Sequence, residues 1–248
     1  TELAPDALCA TAERALGDFD GNVVSLFGDG PMIPPARIEQ LFALRAERGG
    51  QTILAFNAID PFGYGRVIAG AGGAVERIVE EKDASEAERA VRLCNSGVIC
   101  ADAKALFRLL SMLKNDNAKG EYYLTDVVAL GRSAGFATHV VLGDEAETLG
   151  VNSRAELAEA EAVFQSRART AAMDGGVTLI DPASVFFSYD TEIEPDVVIE
   201  PNVFFGPGVR IRRGARIHAY CHFDRTEIGE GAEIGPFARF RPGTKLGR

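Results

Sequence analysis

Polar and apolar positions divide the chain into two regimes. From Ile193 an aliphatic or aromatic residue returns every six positions, at Ile199, Phe205, Ile211, Ile217 and Phe223. The count slips by one to Ile228 and then resumes through Ile234, Phe240 and Leu246. Four residues after most of these stands a small or β-branched side chain (Val197, Val203, Val209, Ala215, Ala232, Ala238, Thr244), with Gly, Pro, Asn and Asp between. A six-residue period fits neither a helix nor plain strand alternation. It predicts a short strand plus a turn, three to a coil, stacked as a parallel β-helix whose coils share one core. The phased positions predict about three coils. Hexad helices of this kind are usually left-handed, against the common crossover rule, although the sequence itself does not carry the hand. A β-sandwich with regularly spaced turns is the competing reading.

Upstream the pattern changes to apolar runs alternating with helical periodicity. Asp6 to Leu16 reads as an Ala-rich helix and Asn22 to Phe27 as a buried strand. Pro35 to Arg48 is an amphipathic helix stopped by Gly49-Gly50, and Gln51 to Phe56 a second buried strand. Pro61 to Ile68 and Ala74 to Glu80 predict a hairpin. Ser85 to Glu88 has the capping-box pattern of a short helix. Cys94 to Cys100 and Thr138 to Leu142 read as strands, and Ala103 to Leu113 and Thr125 to Ala134 as helices. A second capping box at Ser153 to Glu156 opens a long helix toward Met173, with Leu157, Phe164, Ala168 and Ala171 as its apolar face. Alternating strands and helices predict an α/β layer on a largely parallel sheet. Asp174-Gly175-Gly176 then makes a hinge.

Composition narrows the partners. The 248 residues carry a formal net charge of -10, which argues against nucleic acid or an anionic membrane surface. No apolar run reaches the roughly 18 residues of a membrane span, and no signal peptide is evident; a cytoplasmic protein is expected. Cys9, Cys94, Cys100 and Cys221 lack metal-type spacing and read as buried thiols of a reducing compartment. His139, His218 and His222 form no metal-binding pair.

Asp29 is the first candidate for chemistry. It follows a hydrophobic strand, where open α/β sheets place their ligand crevices, and glycines on both sides let a large ligand approach. A carboxylate there suits Mg2+ holding phosphates, or equally a turn Asp capping the next helix. The stretch Leu26-Phe27-Gly28-Asp29-Gly30-Pro31-Met32 resembles the metal-binding strand end of bacterial sugar-1-phosphate nucleotidyltransferases. Pro61-Phe62-Gly63-Tyr64-Gly65-Arg66, Ile78-Val79-Glu80-Glu81-Lys82-Asp83, Cys94-Asn95-Ser96-Gly97-Val98 and the run from Asn117 to Asp126 narrow the resemblance. Gly150-Val151-Asn152-Ser153-Arg154 and the hexads with Ile234 to Gly243 complete it. In this order they resemble the bifunctional N-acetylglucosamine-1-phosphate uridylyltransferase/glucosamine-1-phosphate acetyltransferase family of bacterial cell-wall synthesis.

The resemblance implies a Rossmann-like nucleotide-diphospho-sugar transferase domain over residues 1–153, a connecting helix and linker over 154–176, and a left-handed β-helix of hexapeptide repeats over 177–248. It implies Asp29 and Asn152 as Mg2+ ligands, with Asp29 the catalytic position. Gly65, Glu80 and Asn95 would line the sugar pocket, with Tyr123 and Thr125 nearby, and Phe27 and Gly28 would serve the nucleotide-sugar site. Without the family, Glu80 reads as a solvated hairpin charge and Asn95 as a strand-end turn. The implied substrates are UTP and N-acetylglucosamine 1-phosphate, the product UDP-N-acetylglucosamine, and the assembly a homotrimer through the β-helix.

Residues 1–21 hold nothing like the family's Gly-x-Gly-Thr-x-Arg phosphate loop, nor its Gly-Thr-Ala-His uridine stretch. The hexads stop before the family's acetyltransferase His, Lys and Tyr and its acetyl-CoA contacts. The chain is therefore expected to be the middle of a longer enzyme and, alone, inactive, with acetyl-CoA a partner only of the complete family member. Another sugar-1-phosphate nucleotidyltransferase, or a non-catalytic hexad-repeat trimerisation module, remains an alternative.

Overall fold

The computed structural model describes residues 12–16, 18–70 and 73–247. The chain divides into two units, Thr1–Glu156 and Leu157–Arg248. Of the Ala-rich segment, residues 12–16 are helical; the rest of that expectation, with Cys9, lies outside the described residues.

The strands of the first unit are β1 (Asn22–Ser25), β2 (Gln51–Asn57), β3 (Arg66–Ala69), β4 (Val75–Val79), β5 (Leu93–Asp102) and β6 (Thr138–Gly143). Its helices are α1 (Pro35–Arg48), α2 (Glu86–Arg89), α3 (Ala103–Leu110) and α4 (Asp126–Ser133). The sheet runs β4-β3-β5-β2-β6, with β1 also on β5. Side chains alternate across it. Ile53, Ala55, Ile99 and Ala101 pack with Leu106, Leu109, Val127 and Val128 of α3 and α4. Leu54, Val98, Cys100 and Val141 pack with Leu41 of α1 on the opposite face. The result is a helix–sheet–helix sandwich.

Two expectations are corrected here. The sheet is mostly antiparallel, and among these strands only β2 and β6 pair in parallel. Strands β1, β2 and β6 do run the same way, as βαβ alternation implies. The long β5 lies antiparallel between β1 and β2, so the two are not neighbours. The segment Asn22 to Phe27 is half-buried rather than buried, and Phe27 is 51% exposed.

Helix α5 (Arg154–Asp174) begins at the end of the first unit, and its residues from Leu157 belong to the second. Its packing face differs from the expected one: Leu157 and Ala171 are exposed, whereas Ala160 and Gln165 are buried. Ala168 and Ala172 pack against the solenoid core. Gln165 accepts from Phe187 N at 2.9 Å and donates to Phe187 O at 2.7 Å, and Arg169 Nε donates to Val185 O at 2.8 Å. These bonds satisfy backbone groups of the solenoid's first turn.

The solenoid has three parallel ladders. One comprises β7 (Thr178–Leu179), β9 (Val198–Ile199), β12 (Arg216–Ile217) and β15 (Glu233–Ile234). The second comprises β8 (Glu192–Ile193), β11 (Arg210–Ile211), β14 (Glu227–Ile228) and β16 (Lys245–Leu246). The third pairs β10 (Phe204–Phe205) with β13 (His222–Phe223), extended by bridges Phe186–Phe204 and His222–Arg239. Ile199, Phe205, Ile217, Phe223 and Ile228 are fully buried, and Ile211 nearly so. Phe187, Phe205, Phe223 and Phe240 stack inside at centroid separations of 5.4, 5.4 and 5.0 Å.

There are about four turns, not three. The first escapes the hexad because Leu179 and Phe187 are eight residues apart, with a 3-10 turn, Pro182–Ser184, between them. The hexad phase also fixes the corners. Asp196, Asn202, Gly208, Gly214, Tyr220, Arg225, Gly231, Phe237 and Gly243 all have positive φ. The one-residue slip falls at Arg225, the corner with the smallest positive φ, 44°.

Candidate functional site

All the site residues named from the sequence belong to the first unit. Asp29 is exposed in the turn after β1. Its carbonyl accepts a 2.8 Å hydrogen bond from Val151 N, so this turn runs beside the segment that carries Asn152. That segment is pinned from the other side by the start of α5. Ser153 Oγ accepts from Glu156 N at 3.2 Å, and Glu156 reaches back to accept from Asn152 N at 2.6 Å. These bonds hold the Glu156 carboxyl below its ordinary range, the Asn152 amide first among them. Glu156 also suits the positive end of the helix dipole.

Neither the Asp29 carboxylate nor the Asn152 carboxamide has a side-chain partner among the described residues. One charged and one neutral oxygen on adjoining backbones fit a hard cation that completes its shell with phosphate and water. Among the described residues no cluster of three His, Cys, Asp or Glu side chains forms a metal cage.

A second group surrounds Gly65. Its carbonyl accepts from Asn95 N at 2.8 Å, joining the lead into β3 to β5. A Cβ at position 65 would stand 3.2 Å from Glu80 Oε1 and 3.1 Å from Ile78 Cγ2. The backbone therefore comes close beneath the Glu80 carboxylate, and any side chain here would press on it. Thr125 is the N-cap residue of α4, yet its hydroxyl caps no amide; it donates to Glu80 Oε1 at 3.0 Å. Asn95 is 8% exposed, and its buried Oδ1 has no hydrogen-bond partner. An unpaired buried carbonyl oxygen is costly and awaits a donor.

Tyr123 lies on the same loop as Thr125. Burial first, and the nearby Asp83 carboxylate next, push its phenol up to about 12. Its hydroxyl is buried without a partner of good geometry. Asp83 also accepts from Ala118 N at 2.9 Å, which ties that loop to the turn after β4. The half-exposed Phe27 ring lies over Gly97 so closely that no Cβ would fit there, while the space around Gly28 is open. Thus Asp29 adjoins Asn152, and Gly65, Glu80, Asn95 and Thr125 meet one another.

Sequence reasoning missed the groups beneath these residues. Arg66, 1% exposed, and Glu81 form an ion pair at 2.5 Å. A buried Arg inside a strand beside two glutamates was the available signal. A concavity of about 280 Å³ lined by Asp190, Arg210, Arg225 and Lys245 belongs to the solenoid and contains none of the candidate residues.

No family model matches the chain. It is 50% identical over 259 aligned residues to the bifunctional protein GlmU of Paracoccus denitrificans, covering 99% of this chain and 57% of that protein. To the bifunctional protein GlmU of Hyphomonas neptunium it is 49% identical over 230 residues, covering 93% and 50%. The chain spans about half the length of the curated relatives it matches. A crystal structure of apo-UDP-glucose pyrophosphorylase superposes with a TM-score of 0.53 at 14% identity, over 68% of this chain and 62% of that one. This likeness concerns the fold.

Proposed function

The chain belongs, over the half of their length that it spans, to the family of bifunctional GlmU proteins, and on that premise we propose that its first unit carries the sugar and metal side of an N-acetylglucosamine-1-phosphate uridylyltransferase site. The observation that carries this reading is the meeting of the polar side chains Glu80, Asn95 and Thr125 at Gly65, with the Asn95 Oδ1 left unpaired. Glu80 would accept from sugar hydroxyls, and the unpaired Asn95 Oδ1 from a hydroxyl or the acetamido N–H. Gly65 admits the ring, Tyr123 and Thr125 border it, and Phe27 and Gly28 face the nucleotide.

In the reaction a phosphate oxygen of N-acetylglucosamine 1-phosphate forms a bond to the α-phosphorus of UTP. The bond from that phosphorus to the bridging oxygen breaks, and pyrophosphate leaves with its electron pair. No covalent enzyme intermediate is required. Mg2+, held by Asp29 and Asn152, would supply neutralisation of the charge that builds on the phosphates. The chain's own residues orient the two reactants, which is the larger part of such catalysis.

The solenoid's role would be homotrimer assembly. Its support is an exposed aromatic stack on one ladder, Phe186 on Phe204 and Phe204 on His222. In the whole protein a second reaction, acetyl transfer from acetyl-CoA, would belong to the solenoid. The proposed setting is the cytoplasm; no described helix is long and apolar enough to cross a membrane.

Calorimetric titration of the 248-residue chain with UDP-N-acetylglucosamine, with and without Mg2+, tests the first reading. Saturable binding is expected, tightened by Mg2+ in the native chain but not in Asp29→Asn. Binding that ignores the sugar, or is equal in Asn95→Ala, would overturn it.

A further inference from the structure

We propose that Arg66 and Glu81 are positioning residues that clamp Gly65 against Glu80 and so set the width of the sugar pocket. This rests on the reading of that pocket given above.

The geometry starts from the hairpin register. Arg66 pairs with Val79, so Gly65 and Glu80 are the next residues along the two strands. The clamp therefore involves residues adjoining the two that would touch the sugar. Arg66 runs underneath, and its side chain is 2% exposed. One guanidinium nitrogen donates to Tyr64 O, in the loop that leads to Gly65. The other donates to Glu81 Oε2 at 2.5 Å and approaches Arg89 O at 3.5 Å. The same Glu81 oxygen accepts from Gly63 N at 3.3 Å.

One carboxylate thus holds the buried cation and the backbone two residues before Gly65. Arg89 reinforces it from α2, its Nε lying 3.3 Å from Glu81 O and 3.5 Å from Glu81 Oε1. Across the strand Arg66 pairs with Cys94, and Asn95 N bonds Gly65 O at 2.8 Å. Asn95 is therefore set by the same short stretch. A loop carrying an exposed glycine would otherwise be free to swing; Gly63 has φ of 86°. Removing Glu81 leaves a buried guanidinium without its counter-charge, and the loop would shift to let water reach it.

A buried salt bridge can be purely structural, so the test separates the two roles. Amide hydrogen exchange is measured on the native chain, Glu81→Gln and Glu81→Ala. The expected result is roughly tenfold or faster exchange at Gly63 and Asn95 in Glu81→Ala, with amides of Ile53 and Val141 unchanged. Glu81→Gln keeps the acceptor oxygen but loses the counter-charge, and should fall between the native chain and Glu81→Ala. UDP-N-acetylglucosamine, titrated into the same three proteins, should bind about tenfold more weakly to Glu81→Ala, with Glu81→Gln between it and the native chain. Unchanged exchange at Gly63 and Asn95, equal acceleration throughout the sheet, or local acceleration with native affinity would each overturn the clamp. If the native chain binds no UDP-N-acetylglucosamine, the functional reading fails and the positioning role with it, whatever the exchange shows.

Discussion

Gly65→Ala is the most discriminating substitution the structure offers, because its effects on folding and on binding should part company. The residue is buried, and its φ is not in the left-handed region, so alanine needs no new backbone conformation. The added methyl would sit 3.1 Å from Ile78 Cγ2, 3.2 Å from Glu80 Oε1 and 3.4 Å from Glu80 Oε2. These contacts are tight by a few tenths of an ångström, and the Glu80 carboxylate is the end of a flexible side chain. Relief there breaks or lengthens its bond from Thr125, worth about 1 kcal/mol. Against that, replacing glycine stiffens the unfolded chain by about 0.4–1 kcal/mol. The two nearly cancel, so the unfolding midpoint in urea should move by less than about 1 kcal/mol equivalent. Binding should not cancel. The methyl occupies the space between backbone and carboxylate and turns Glu80 aside, so UDP-N-acetylglucosamine affinity should fall at least tenfold, about 1.4 kcal/mol. Urea denaturation and calorimetric titration on one preparation check both halves. Native affinity in Gly65→Ala would refute the pocket assignment, and a loss of several kcal/mol of stability would refute the packing argument.

Other outcomes follow from particular contacts. Thr125→Val should weaken UDP-N-acetylglucosamine binding several-fold by freeing Glu80, and Thr125→Ser should restore it; equal affinity in all three would show the hydrogen bond to be irrelevant. Phe205→Ala should destabilise the chain by about 3–5 kcal/mol in denaturant titration, whereas Phe204→Ala, next along the same strand but exposed, should stay within about 1 kcal/mol. His218 bridges Glu233 at 2.8 Å and Glu200 at 3.0 Å, which raises its pKa above 6.5, Glu233 contributing most. Its contribution is complete below pH 6.5 and is lost as pH rises through the raised folded value. Glu200, lowered by His218, contributes above pH 4.5 and loses its share as pH falls through its own folded value. Melting temperature should therefore decline from pH 6 to pH 8.5 more in the native chain than in His218→Gln; parallel curves would sink this.

The solenoid was legible because its chemistry repeats. A corner that needs positive φ every sixth residue favours Gly, Asn and Asp, and an inward position every sixth residue favours Ile and Phe. Both signals survive the slip at Arg225. The first turn was not legible because the 3-10 turn of Pro182–Ser184 lengthens one corner and removes the phase. Neither was the direction of the sheet. Apolar runs tell which segments are strands, but the position of β5 between β1 and β2 depends on pairings far apart in sequence.

The candidate site divides along the same line. Asp29 could be singled out from its place after a strand between glycines, because that signal lies in the local sequence. Glu80, Asn95 and Thr125 could not, because each is unremarkable in its own segment. Glu80 looks like one more charge in Glu80-Glu81-Lys82, yet its neighbour Glu81 turns inward to Arg66 while Glu80 itself takes the Thr125 hydroxyl. Glu80 follows the last residue of β4 and Glu81 opens the turn after it, so two consecutive glutamates meet different partners without any compositional signal. Glu81 is held below the ordinary carboxylate range chiefly by its hydrogen bond from Arg66, and so stays charged beside that buried guanidinium. Meaning at these positions arises from what a distant segment places opposite them. Changing one glutamate at a time therefore separates the two environments. Glu80→Gln with Glu81 retained should spare the clamp and the Gly63 exchange rate while weakening sugar-nucleotide binding. Glu81→Ala with Glu80 retained should disturb both.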